Sequence, residues 1–87
     1  MIPINVRFKG PDEVLDFVNK AEKYPYAMDA TRGSIVVDGK SLLGLMNIGF
    51  NQIVSVRIYA EECGDFCREI AKYMVSDQEE AGQREEV

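Results

Sequence analysis

Polar and apolar residues alternate through Ile4-Asn5-Val6-Arg7-Phe8-Lys9, placing Ile4, Val6 and Phe8 on one face and predicting a strand with one wet side. The period then lengthens. Gly10-Pro11-Asp12-Glu13 opens a helix, because proline fits the first helical position and two carboxylates favour the positive end. Val14, Leu15, Phe17, Val18 and Ala21 supply its apolar stripe to about Tyr24, and Pro25 stops it. Tyr26-Ala27-Met28-Asp29-Ala30-Thr31 alternates again, with Met28 and Ala30 on one side. Thr31-Arg32-Gly33-Ser34 then turns back into the β-branched run Ile35-Val36-Val37, so the two segments read as a hairpin. After the Asp38-Gly39 turn, Ser41 suits a helix N-cap, and Leu42, Leu43, Leu45, Met46 and Ile48 crowd about two helical turns closed by Gly49. Residues 53–60 form the strongest strand pattern, with Val54, Val56 and Ile58 facing inward. Gly64-Asp65 opens a last helix on which Phe66, Ile70, Tyr73 and Met74 recur at helical spacing, with Ala71 on the same face.

The order is strand, helix, strand, strand, short helix, strand, helix. A four-stranded antiparallel sheet with the helices on one face gives every apolar stripe a partner, which predicts an α+β open-faced sandwich, βαββαβα. Residues 1–76 read as one domain. From Asp77 the chain is polar, acidic and aperiodic, so residues 77–87 read as a solvated tail.

Composition narrows the chemistry. Apolar residues at 46% beside 29% charged describe a globular soluble chain, and 87 residues near the lower limit for unaided folding require a core shared among all elements. No apolar run is long enough to cross a bilayer, and Met1-Ile2-Pro3 begins no signal peptide, so a cytoplasmic protein is expected. The net charge of −5, concentrated in Glu79, Glu80, Glu85 and Glu86 with no basic stripe, argues against nucleic-acid binding. Cys63 and Cys67 lie four apart on one face of a helix, where helical backbone holds side chains poorly for a disulfide. They read as structural thiols in a reducing compartment. The chain has no histidine, which removes Ser-His and Cys-His dyads and leaves two thiols too few ligands for a metal. Asp12, Glu13 and Asp16 read as the start and outer face of a helix, and Glu61-Glu62 as solvated. Neither an enzyme nor a cofactor is expected.

The central segment carries a resemblance. Lys40-Ser41-Leu42-Leu43-Gly44-Leu45-Met46-Asn47-Ile48-Gly49 resembles the regulatory-serine segment of HPr, the small phosphocarrier of the bacterial sugar phosphotransferase system, which runs Lys-Ser-Ile-Met-Gly-Val-Met-Ser-Leu-Gly. Length and element order follow that family over roughly residues 2–76. The resemblance implies the same sandwich, with Ser41 as the serine that a dedicated kinase phosphorylates and Lys40 before it. Ser41 as a helix cap alone is the competing reading.

Leu45 and Ile48 are assigned to the core, while Leu42, Leu43 and Met46, with Lys40, fall on the family's docking positions for enzymes and regulators. Extra core contacts or a homodimer are the alternatives for that patch. In the family a histidine just ahead of the first helix carries the phosphoryl group, followed by Ala, Arg and Pro. The corresponding positions here are Gly10, Pro11, Asp12 and Glu13, so the phosphocarrier site reads as degenerate. The expected function is therefore binding and carbon-control regulation, with a recruited structural or oligomerisation module as the alternative. Gly39, Gly44 and Gly49 serve a turn, close packing and a helix end rather than a phosphate loop. Tyr24, Tyr26, Tyr59 and Tyr73 read as core-edge aromatics that form no platform.

Overall fold

The computed structural model describes residues 1–75. It forms strand β1 (Ile2–Val6), helix α1 (Pro11–Ala21), strands β2 (Met28–Arg32) and β3 (Ile35–Asp38), helix α2 (Leu42–Ile48), strand β4 (Val54–Ile58) and helix α3 (Gly64–Glu69), followed by a 3₁₀ turn at Ala71–Tyr73. This is the element order that the hydrophobic pattern predicts. The expected acidic tail, residues 77–87, lies outside the described residues.

The strands form one sheet in the order β1-β4-β2-β3 with every neighbouring pair antiparallel. Register follows from the alternation. Ile4 faces Val56, Val56 faces Ala30 and Ala30 faces Val37, which makes an inward row, and the next row, Asn5, Ser55, Thr31 and Val36, points the other way. The helices cover the inward face. There Phe17 packs edge-on against Phe8 at 5.2 Å and against Phe66 at 5.6 Å, joining α1, the end of β1 and α3 in one aromatic cluster. Among the described residues no polar or charged side chain is buried, and no buried side-chain nitrogen or oxygen lacks a partner.

Several boundaries differ from the pattern, each for a local reason. β1 runs from Ile2 to Val6, yet Phe8 beyond it is still fully buried. Leaving the ladder, Arg7 donates its amide to the Tyr73 carbonyl at 2.8 Å, and the Phe8 carbonyl accepts from Asn51 at 2.7 Å. α1 ends at Ala21 rather than Tyr24, because the next turn tightens through Lys23 to Lys20 and Tyr24 to Ala21 amide–carbonyl bonds. Leu15 is exposed: Val14, Phe17, Val18 and Ala21 complete an i, i+3, i+4, i+7 stripe, and position 15 falls outside it.

The last helix breaks at Ile70, whose φ of −111° and ψ of 16° depart from helical values. The following 3₁₀ turn brings Tyr73 into the core but leaves Ala71 on the surface, correcting its assignment to the buried face. Met74 pairs with Val6 as a β-bridge instead of continuing a helical stripe, and the Val75 amide donates to the Asn5 carbonyl at 2.9 Å. Residues 73–75 thus cover part of the free edge of β1. Among the described residues, no helix is long and apolar enough to cross a membrane.

Candidate functional site

The segment preceding α2 is built by a short ladder of local bonds. The Asp38 side chain accepts the Lys40 amide at 2.9 Å, and its carbonyl accepts the Ser41 amide at 3.1 Å. Ser41 sits in extended backbone, and its Oγ accepts the Gly44 amide at 3.0 Å, which satisfies one of the donors that a helix start leaves open. Two glycines set how closely this unit lies on the sheet. A Cβ on Gly39 would stand 2.7 Å from Met28 Cγ, and one on Gly44 would stand 2.9 Å from Val37 Cβ. At the other end Gly49 leaves the helix at φ +107°, and the Arg32 guanidinium donates through Nε to the Ile48 carbonyl at 2.6 Å. A cation thus meets the negative end of α2.

Leu45 and Ile48 are fully buried, as expected. Leu43 is 76% exposed, while Leu42 and Met46 are half-buried and pack against the core. The expected three-residue outer patch is therefore one projecting leucine flanked by two residues divided between core and surface. The short helix lies near the sheet margin, so residues on its flanks touch both. Lys40 turns inward: its Nζ donates to the Tyr24 carbonyl at 2.6 Å and ties the start of α2 to the turn after α1.

The four residues expected from the resemblance at a degenerate phosphocarrier site, Gly10, Pro11, Asp12 and Glu13, form the N-terminus of α1. Gly10 is the N-cap in extended backbone without a side-chain cap, Pro11 takes the first position, and Asp12 and Glu13 occupy the first turn. Glu13 Oε1 accepts the amide of Lys9, the residue before the N-cap Gly10, at 2.8 Å, so a carboxylate of the chain folds back over the approach to this helix. A surface cleft of about 650 Å³ opens beside it, in which Arg7, Lys9 and Lys72 alternate with Asp12, Glu13 and Asp16.

At the cleft wall the Tyr73 hydroxyl donates to Asp16 Oδ2 at 2.6 Å, Lys20 Nζ donates to the same oxygen at 2.9 Å, and Lys72 Nζ stands 3.6 Å away. The tyrosine hydrogen bond, then the Lys20 bond, hold the Asp16 carboxyl down at about 2. Burial, then the bond to Asp16, push the Tyr73 phenol well above its ordinary range. The sequence puts Asp16 on the outer face of a helix and names no partner for it; Lys20 lies four residues on, whereas Tyr73 comes from the other end of the described chain.

Two further clusters escaped the pattern. Tyr24 and Tyr26 stack at 5.5 Å with an interplanar angle of 17°, and both lie against Phe66. The Tyr24 hydroxyl donates to Glu69, which lifts the phenol to about 12 and lowers the Glu69 carboxyl; Lys23 donates to that carboxylate as well, at 2.9 Å. Tyr59, by contrast, is surface-exposed and donates its hydroxyl to Asp29 at 2.6 Å.

Cys63 is the N-cap of α3, with φ −144° and ψ 33°, rather than a helical residue, so the expectation that helical backbone holds the two thiols apart is corrected. Its Sγ lies 3.0 Å from that of Cys67, and both cysteines are free. Burial, followed by the hydrogen bond with Cys63, raises the Cys67 thiol to about 12.

An α+β open-faced sandwich with a serine-capped helix on its sheet margin defines the class, and comparison with solved structures gives it a name. The chain is similar to HPr-C-His from Thermoanaerobacter tengcongensis, at a TM-score of 0.64 and 19% identity over 83% of this chain and 89% of that one. It is likewise similar to the phosphocarrier protein HPr from Bacillus anthracis str. Ames, at a TM-score of 0.65 and 15% identity over 85% of this chain and 96% of that one. The fold is that of HPr. No protein-family model matches the chain, and no curated protein matches it.

Proposed function

We propose that this is an HPr-like protein-binding, regulatory domain related to the phosphoenolpyruvate-dependent sugar phosphotransferase system, docking through α2 and regulated by phosphorylation at Ser41. The observation that carries the reading is Leu43, 76% exposed on the first turn of a helix whose cap is Ser41. Projecting beside the half-buried Leu42 and Met46, it offers an apolar edge to a protein partner, whether a kinase, a regulator, a phosphotransferase component or a second copy. A phosphate on Ser41 would place about two negative charges beside that leucine and alter docking without entering the core.

The phosphocarrier role is absent from this reading. Without a histidine the 87 residues cannot form a phosphohistidine, and the start of α1 is lined by Asp12 and Glu13, with the Glu13 carboxylate folded back onto the Lys9 amide. The domain acts by binding rather than catalysis, in the cytoplasm, without nucleic acid or membrane.

The test is intact-mass analysis after incubation with ATP and an HPr-type serine kinase, with the modified residue located by fragmentation. One phosphoryl group on Ser41 supports the regulatory reading; an unmodified chain reduces Ser41 to a cap. A second reading, an oligomerisation module, draws on Ile35 and Val36, both exposed on edge strand β3. A concentration-dependent dimer in sedimentation that Leu43→Asp dissociates would favour it.

A further inference from the structure

We propose that Cys63 and Cys67 are a redox-active dithiol, oxidised to an intramolecular disulfide by small-molecule disulfides and returned to thiols by thiol reductants. The inference stands apart from the docking role of α2. The two sulfurs are 3.0 Å apart, inside the separation of about 3.5–4.0 Å at which even non-bonded carbon atoms rest. Closing to a covalent bond of about 2.05 Å asks for a movement of about 1 Å. The backbone makes this approach possible. Cys63 lies outside helical φ and ψ as the N-cap of α3, and its Sγ reaches that of Cys67 across the first turn.

Access is asymmetric. Cys63 is 6% exposed and Cys67 is half-buried, so the incoming disulfide meets Cys67. The Cys67 thiolate attacks one sulfur of RS–SR, forming a mixed disulfide and releasing RS⁻, which takes up the displaced proton. Cys63 then attacks the Cys67 sulfur as a thiolate, the protein disulfide forms, and the second RS⁻ leaves and is protonated. Two protein thiols are oxidised, one small disulfide is reduced to two thiols, and atoms and electrons balance. Because the Cys67 thiol is held near 12, exchange is slow at neutral pH, and equilibrium is the useful readout.

The experiment equilibrates the folded chain with mixtures of reduced and oxidised glutathione, quenches in acid, alkylates and weighs the intact protein. The expected product is two hydrogens lighter, accepts no alkylating reagent and reverts with excess reductant. Its midpoint lies at a severalfold lower proportion of oxidised glutathione than for the same chain in urea, where only the short spacing favours the ring. A Cys63→Ser chain should instead stop at a stable glutathione adduct on Cys67. Glutathione adducts as the endpoint of the wild-type chain, two alkylatable thiols at every ratio, or equal midpoints with and without urea would each overturn the proposal.

Discussion

Asp16 is held by groups from both ends of the described chain, and replacing it with asparagine measures what that arrangement is worth. Asparagine keeps the size and an acceptor for the Tyr73 hydroxyl but removes the charge that Lys20 and Lys72 face. Lowering the carboxyl from 3.8 to about 2, at about 1.4 kcal/mol per pH unit, corresponds to about 2.5 kcal/mol. The Asp16 side chain is 36% exposed, and screening by water brings the expected contribution to about 1 kcal/mol.

A depressed carboxyl stabilises the fold above its unfolded value and ceases to do so as the pH falls through its folded value. In urea unfolding followed by circular dichroism, Asp16→Asn should be about 1 kcal/mol less stable than wild type at pH 7 and at pH 5. The gap should narrow between about pH 4 and pH 2, where wild-type Asp16 becomes neutral as well. A gap that is absent at pH 7, or that persists undiminished at pH 2, would refute the assignment of the Asp16 charge as a stabilising group. Tyr73→Phe should lose part of the same energy, and the double variant should fall short of the sum, since the two side chains share one hydrogen bond.

Gly44→Ala should lower stability by about 1–3 kcal/mol in the same assay, because its methyl group would stand 2.9 Å from Val37 Cβ and α2 would have to lift from β3. Loss of the cap in Ser41→Ala should cost about 1 kcal/mol, seen as a reduced urea midpoint with unchanged slope. Leu45→Ala empties a fully buried site and should cost about 2–5 kcal/mol. Leu43→Asp should leave stability within about 0.5 kcal/mol of wild type while abolishing association measured by calorimetry or sedimentation.

The sheet was legible because its two faces differ so sharply: Val54, Val56 and Ile58 alternate with Ser55 and Arg57, and only one register buries the first set. The Ser41 cap and the three glycines around α2 were legible too, since cap and turn chemistry is local. What sequence reading lost was contact between distant segments. Nothing near Asp16 announces Tyr73, and the helical spacing of Phe66, Ile70, Tyr73 and Met74 concealed a break at Ile70 that re-phases the last two residues. Cys63 and Cys67 are free thiols as the sequence implies, but their spacing alone does not announce that Cys63 is a non-helical N-cap. Lys40, assigned outward by resemblance, finds the Tyr24 carbonyl through the tertiary arrangement of two loops.

The place of β4 in the sheet has a consequence for the chain as it is made. Among the described residues β4 is the last strand in chain order, yet it lies between β1 and β2 in the sheet. Until Val54–Ile58 has left the ribosome, a nascent chain can assemble α1, the β2–β3 hairpin and the capped α2 only as local pieces, while Ile4 and Val6 wait without a hydrogen-bonded neighbour. Contacts that close the sheet span almost the whole described chain, and loop-closure entropy opposes them until the core rewards them together. Closure of this sheet therefore waits for β4, and Ile4 and Val6 are among the described apolar residues longest exposed to chaperones.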